Sequence, residues 1–508
     1  MTIQVFLGVD VGTASTKAVA VAADGRVLAR AERRHATSSP RPGWFEHDAE
    51  DVWWADLRAC VREVLPACPS PPAALAVSGI GPCLLPADED GRPLRPAILY
   101  GVDTRAETQI QTMTAKFGES RIAAAGTILT TQSVGPKMAW LAEHEPDVWA
   151  GTRMIFMASS FLVHRLTGKY VLDHHSASQC SPLYNQPMAA WDTGMWAIVA
   201  PDVEPPNLHW AGEVVGTVSA QAAELTGIPP GTPVTAGTID AWAEAESVLA
   251  RSSGDVMVMY ATTMFLIAMT DTWLPSRMLW PTRGLRPETS CLAAGMASSG
   301  AVTEWWSRLT GATFAELTAE AEQVPAGCEG LLLTPYFAGE RTPLFDPQAR
   351  GVLGGLTLHH TRGHVYRAIL EGVAYGVQHN LEAIQSAGAR VERLIAVGGG
   401  ATTLWTQIVS DVTGLPQQVP RETMGASYGD AMLAALATGA VSEEGTRDWN
   451  PVLQVIQPDT AVQALHEERF RCYRALYEST SGLMRDLGQS ARDRYTRLPE
   501  DPATAKRE

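Results

Sequence analysis

The stretch GVDVGTASTKAVAV, residues 8–21, holds two apolar runs joined by a turn of glycine and small hydroxyl residues. Before it runs the alternating IQVFLGVD (3–10). After it come Asp24-Gly25, a strong hairpin signal, and RVLARAER (26–33). The opening therefore reads strand, turn, strand, turn, strand. DVMVMYATTMFLIAMT, residues 255–270, restarts the same plan, with YATT where DVGTAST stands in the first half. The repeat is one of architecture rather than of residues.

Working outward, DAEDVWWADLRACVREVLP (48–66) has an acidic start, helical spacing and a proline stop. Residues 104–144 are amphipathic and helical. RLIAVGGGATTLWTQIVSDVTGLP (393–416) reads as strand, triple glycine, helix and stop. Strands alternating with helices in both halves predict an α/β protein of two domains with a cleft between them. The division is expected near Arg251–Gly254, giving domains 1–250 and 251–489 and a polar, frayed tail over 490–508.

Composition narrows the function. At 508 residues the chain exceeds one ordinary core. Its 39 basic against 55 acidic residues give a net charge of −16, which repels phosphate backbones and argues against nucleic acid as a partner. No stretch approaches the length of a membrane span, and the opening MTIQVFLGVD lacks the basic region of a signal peptide. The seven cysteines are scattered and form no Cys-x-x-Cys pair, so free thiols and a cytoplasmic location are expected.

Residues 8–21 lack the Gly-x-x-x-x-Gly-Lys-Ser/Thr spacing of a P-loop and lead into a strand, not a helix. A hairpin can still cradle phosphate: Gly12 lets backbone approach, amides around Thr13, Ala14 and Ser15 can form an anion nest, Lys17 adds charge, and Asp10 could hold Mg²⁺ through water. On this stretch alone a plain β-hairpin turn is the simpler reading. Asp240, in AGTIDAWAE, follows a strand and stands at a helix start, which fits a helix cap or a carboxylate facing the ligand crevice. Gly398-Gly399-Gly400 permits close approach of a ligand, without the spacing of a dinucleotide fingerprint. The adjacent pairs His174-His175 and His359-His360 share no helix face and read as surface or loop residues. Trp53-Trp54 and Trp305-Trp306 read as packing.

Taken in order, several segments resemble the FGGY carbohydrate kinases, a branch of the actin-like ATPases. GVLGGLTLHHTRGHVYRAILEG (351–372) is similar to the family's C-terminal signature. TPYFAGERTPLFDPQARG (334–351), RPGWFEHDAEDVWW (41–54) and LDHHSAS (172–178) resemble further family segments. The resemblance implies two RNase H-like domains closing over a sugar and MgATP, with transfer of the γ-phosphoryl group to a hydroxyl. It implies Asp240 as the catalytic base. It places Thr13, Ser15 and Lys17 in the first phosphate loop, Thr262 in the second, and Gly300, Gly399 and Gly400 at the nucleotide. Asp10 and Asp240 fall on the metal side, and Asp103, Arg105 and Gln132 near the sugar. A homodimer is expected by the same resemblance.

Departures bear on the substrate. Where xylulokinases carry Gly-Gln-Met-His-Gly, this chain reads Ile80-Gly81-Pro82-Cys83, and glycerol kinases place Arg-Glu there. Ala261 stands where the second hairpin often has glycine, and Gln132 where glycerol kinases have a substrate tyrosine. The expected acceptor is a pentulose, xylulose first, with ribulose, glycerol or gluconate as alternatives. A catalytically silent sugar- or ATP-binding regulator is the rival of another class. A chaperone-like ATPase would need an appended β-domain, for which the sequence after Ala440 is too short.

Overall fold

The computed structural model describes residues 3–126 and 128–495, with side chains through 488. The first three strands are β1 (Val5–Val11), β2 (Ser15–Ala22) and β3 (Val27–Arg34), followed by helix α1 (Ala55–Val64) and β4 (Pro72–Gly79). Later in the first half come β5 (Val214–Thr217), β6 (Pro233–Thr235), β7 (Thr238–Ile239) and helix α2 (Asp240–Ser247). They form a seven-stranded sheet in the order β5-β6-β4-β1-β2-β3, with β7 beside β4. Strands β1 and β2 pair antiparallel and β1 and β4 parallel, which sets Asp10 opposite both Lys17 and Ser78.

The second half supplies β8 (Asp255–Tyr260), β9 (Met264–Thr270), β10 (Trp280–Arg283), β11 (Ser290–Met296), α3 (Gly300–Thr310) and the long α4 (Arg362–Ser386). It continues with β12 (Arg393–Val397), α5 (Thr403–Thr413), β13 (Gln417–Pro420), α6 (Ala426–Ala437), β14 (Val452–Ile456) and α7 (Gln463–Tyr495). The sheet order is β10-β11-β9-β8-β12-β13-β14. The pairing senses repeat those of the first sheet: β8 with β9 antiparallel, β8 with β12 parallel, β12 with β13 parallel, β13 with β14 antiparallel. The architectural repeat read from residues 8–21 and 255–270 is thus present over six strands of each sheet, the seventh (β7 beside β4, β10 beside β11) being placed differently.

The reason lies in the burial pattern. β1 is buried along its whole length, as are most of β2, β8 and β9, so these runs need cover on both faces. One cover crosses between the halves: α6 packs against β1, β4 and α2. A Cβ on Gly8 would sit 1.9 Å from the Ser427 carbonyl, so the bare glycine in β1 lets α6 lie on the sheet. Trp53 and Trp54 are buried in the core, as read from the sequence. The tail expectation needs correction: α7 stays helical through Tyr495, carrying on past 490, and the remaining 496–508 lie outside the described residues. All seven cysteines are free. Among the described residues no helix is long and apolar enough to cross a membrane.

Candidate active site

A cavity of about 250 Å³ opens where the ends of the two sheets face each other. Asp10 and Thr13 reach it from the β1–β2 hairpin, Ile80 to Pro82 from the end of β4, and Asp240 and Glu244 from α2. The second half contributes Met259, Thr263, Phe265, Trp280 and Arg341. The size sits at the small end of ligand sites, enough for a compact acceptor.

Its floor is acidic. Asp240 is the first residue of α2, and its Oδ1 accepts the Ala241 N–H at 2.7 Å. The helix-capping alternative fails in detail, because the cap position belongs to Ile239. Burial, with the Asp10 carboxylate next in weight, holds the Asp240 carboxyl well above the usual carboxylate range. Burial also raises Asp10 to about 6, against the pull of Lys17 and a 3.4 Å contact from the Ser78 hydroxyl. Glu244, one turn on from Asp240, is raised to about 7 by burial and then by Asp10. Behind them Asp430 of α6 lies 2.6 Å from Ser78, its carboxyl raised chiefly by burial. Three mutually repelling carboxylates share one wall, and Asp10 and Asp240, both hard oxygen donors, are a pair whose repulsion a divalent cation would relieve.

The two hairpin tips frame this floor. In the first, Gly12 N–H donates to the Ser15 carbonyl at 3.0 Å, which leaves Thr13 and Ala14 exposed at the turn. Thr13 Oγ1 lies 3.4 Å from the Tyr100 hydroxyl. In the second, the Thr262 carbonyl accepts N–H groups of Ser299 and Ala301, and the Ala261 carbonyl that of Gly300 at 3.0 Å. A Cβ on Gly300 would fall 2.6 Å from that carbonyl, so glycine alone lets α3 dock on the tip. The triple glycine wraps the same strand end: Gly400 N–H donates to the Tyr260 carbonyl at 3.0 Å, and a Cβ on Gly399 would meet nothing within 4 Å. Thr262, Gly300, Gly399 and Gly400, far apart in sequence, therefore gather at the end of β8.

Asp103 and Arg105 do not line the cavity. Arg105 forks onto Asp103, with Nη2 to Oδ2 at 2.8 Å, and reaches Glu46 at 2.8 Å through Nη1. Its guanidinium lies 4.3 Å from the Trp44 ring and 5.1 Å from the Trp140 ring. Asp103 in turn accepts the Phe45 N–H at 2.7 Å. The pair closes on itself as a buried ion network, while Tyr100 and Gln132 reach the cavity wall. Gln132 is tied by Oε1 to the Gly101 N–H at 3.1 Å.

His174-His175 also needs correction. Asp173 caps the short helix His174–Ser178 and accepts from Thr238 at 3.0 Å, which turns His175 inward. His175 is fully buried and stacked 3.7 Å from Trp242, and burial lowers it to about 3, so it is neutral. His359 is exposed, as the loop reading expects, and meets Glu329 at 2.8 Å. His364 faces the same carboxylate at 3.4 Å. Because His364 Nδ1 accepts the Thr361 N–H at 3.2 Å, its hydrogen sits on Nε2 toward Glu329, and the group is a hydrogen-bonded cluster.

Sequence reading missed Glu244, Tyr100, Arg341 and the aromatic wall of Trp242, Phe265 and Trp280. Glu244 was signalled by its four-residue spacing from Asp240, and Arg341 stands inside the quoted GERTP segment. The aromatics carry no signal that separates a cavity wall from core.

Two actin-like α/β lobes with an acidic floor between two hairpin tips are the frame of a two-lobed kinase. The chain belongs to the FGGY family of carbohydrate kinases: the family's N-terminal domain matches residues 5–245 and its C-terminal domain residues 256–438. It is 29% identical over 491 residues to a xylulose kinase of Escherichia coli, covering 94% of this chain and all of that one. It is also 29% identical over 481 residues to a glycerol kinase of Methylorubrum extorquens, covering 88% and 93%. The solved structure of a xylulose kinase from Rhodospirillum rubrum superposes with a TM-score of 0.88 at 30% identity, covering 95% of this chain and all of that one. The chain is thus an ATP-dependent carbohydrate kinase.

Proposed function

We propose that the acceptor is a pentulose such as xylulose, that Asp240 is the general base, and that Mg²⁺ is the cofactor. The observation that carries the reading is the position of Asp240. It lies on the wall shared by both lobes, with its proton affinity raised by burial and by Asp10. Such a carboxylate, once ionised, is a strong acceptor for the hydrogen of a weakly nucleophilic hydroxyl.

Asp10 and Asp240 would hold Mg²⁺, which when bound neutralises charge on the phosphate oxygens during transfer. Thr13, Ser15, Lys17 and Thr262 line the path of the phosphates, and Gly300, Gly399 and Gly400 admit the nucleotide. In this reading residues 1–250 carry the sugar and 251–489 the nucleotide. Closure of the lobes excludes water, which competes as an acceptor. Support for a pentulose comes from the xylulose kinase relatives and from the small cavity. A Cβ at Gly81 would lie 2.6 Å from the Ile239 side chain, and Tyr100, Gln132 and Gln179 are among the polar groups that can meet sugar oxygens.

A coupled ADP-release assay over pentuloses, hexuloses, polyols and aldonates tests the reading. The highest kcat/KM is expected on D-xylulose. A polyol or aldonate that outruns every pentulose would overturn the substrate, and no release on any member would overturn the transfer.

A further inference from the structure

The carboxylates of the cavity, Asp10, Asp240 and Glu244, all come from the first lobe. Facing the same space from the second lobe is a cation, Arg341, in the loop between Thr334 and Val352. Its backbone is fixed: its N–H donates to Glu340 Oε1 at 2.8 Å, and the same oxygen accepts the Ala297 N–H at 2.7 Å. Its guanidinium is fixed too, with Nη2 donating to the Met296 carbonyl at 2.7 Å and the group lying 5.7 Å from the Trp280 ring.

What these bonds leave unused is the point. Nε of Arg341 is buried without a hydrogen-bond partner, and among the described residues Arg341 forms no ion pair. Glu340, its nearest acid, has committed Oε1 to backbone amides. A guanidinium carries its charge at any working pH; Glu340 attracts it without bonding it, and a buried N–H with no acceptor is costly unless a ligand completes it.

The surroundings say which end of the ligand it meets. A Cβ on Gly295 would lie 3.2 Å from Arg341 Nη2, 3.1 Å from Phe265 and 3.2 Å from Trp280. The bare glycine seats the guanidinium on the aromatic wall. Of the proposed phosphate groups, Thr262, Gly300, Gly399 and Gly400 collect at the end of β8, while Thr13 reaches the cavity from the opposite lobe.

We infer that Arg341 is an acceptor-binding residue whose unused N–H face hydrogen-bonds oxygens at the non-reacting end of the sugar. One small acceptor is then gripped by the first lobe at its reacting hydroxyl and by the second lobe through Arg341. Acceptor binding thereby favours the closed arrangement. The inference rests on the kinase reading above and assigns the residue that reads the far end of the substrate.

The test uses Arg341→Met and Arg341→Lys in the full chain, with D-xylulose as the probe. Two measurements are made: steady-state kinetics, and sugar binding without ATP followed by tryptophan fluorescence, since Trp242 and Trp280 line the cavity. Arg341→Met is expected to weaken sugar binding and raise sugar KM about tenfold or more, with ATP KM within about twofold. Arg341→Lys is expected to recover only part, because an ammonium lacks the planar fork. Sugar affinity in Arg341→Met within about twofold of the parent would overturn the inference. So would a rise in ATP KM with sugar KM unmoved, which would assign the guanidinium to phosphate. Parent protein that binds sugar through Arg341 yet releases no ADP would sink the kinase reading and leave this one standing.

Discussion

Asp240 and Glu244 stand one turn apart on α2, and both look onto Asp10 at the end of β1. This relationship bears on both the chemistry and the stability of the protein.

The chemistry rests on the base. Asp240→Asn keeps the shape and the Ala241 contact but cannot take a proton. It is expected to lower kcat by about 10²–10⁴, the range for a positioned base, while ATP binding measured by calorimetry is retained. Full turnover in this variant would remove Asp240 from the mechanism.

The stability depends on pH. Glu244 is raised in the folded chain from 4.5 to about 7, and Asp10 from 3.8 to about 6. The native state therefore binds more protons than the unfolded chain between those values, and stability falls as pH rises through them. Glu244→Gln removes one contributor. In metal-free buffer it should raise the unfolding free energy relative to the parent at pH ~8, by on the order of 1 kcal/mol, and give no gain at pH ~4.5. Added Mg²⁺ should stabilise the parent at the higher pH and do little for Asp10→Asn. An equal shift at both pH values would mean that Glu244 does not share the acidic floor.

The nucleotide side turns on a steric fact. Gly300→Ala places a Cβ 2.6 Å from the Ala261 carbonyl and must push α3 off the second hairpin. With about 1–3 kcal/mol of strain at the contact, ATP KM should rise about tenfold and sugar KM should move little. An unchanged ATP KM would separate α3 from the nucleotide.

The fold was readable where a local rule was strong. Alternation, Asp24-Gly25 and the repeated strand-turn-strand at 255–270 yield both sheets, because buried hairpins need those patterns whatever surrounds them. The site was readable where a residue type is rare at its place, as with Asp240 after a strand or three successive glycines. Tyr100 and Arg341 were not separable from their neighbours, since only the meeting of two lobes turns them onto one cavity. His175 misled for the same reason: adjacency suggests a loop, and the cap supplied by Asp173 overrides it.

Asp103 and Arg105 give the sharpest contrast between resemblance and geometry. The family pattern sets them near the sugar, whereas here Arg105 is enclosed by Asp103, Glu46, Trp44 and Trp140. Removing one partner of a buried pair leaves the other charge uncompensated, at a cost of about 3–5 kcal/mol. Arg105→Met should lower the unfolding free energy by that much, seen as a lower denaturant midpoint, and Arg105→Lys should lose part of it, because an ammonium cannot serve Asp103 and Glu46 through one planar fork. Sugar KM, measured on the folded protein, should stay within about threefold of the parent in Arg105→Lys, since the cavity wall is formed by Tyr100 and Gln132. A large rise in sugar KM with the midpoint unmoved would return Arg105 to the substrate.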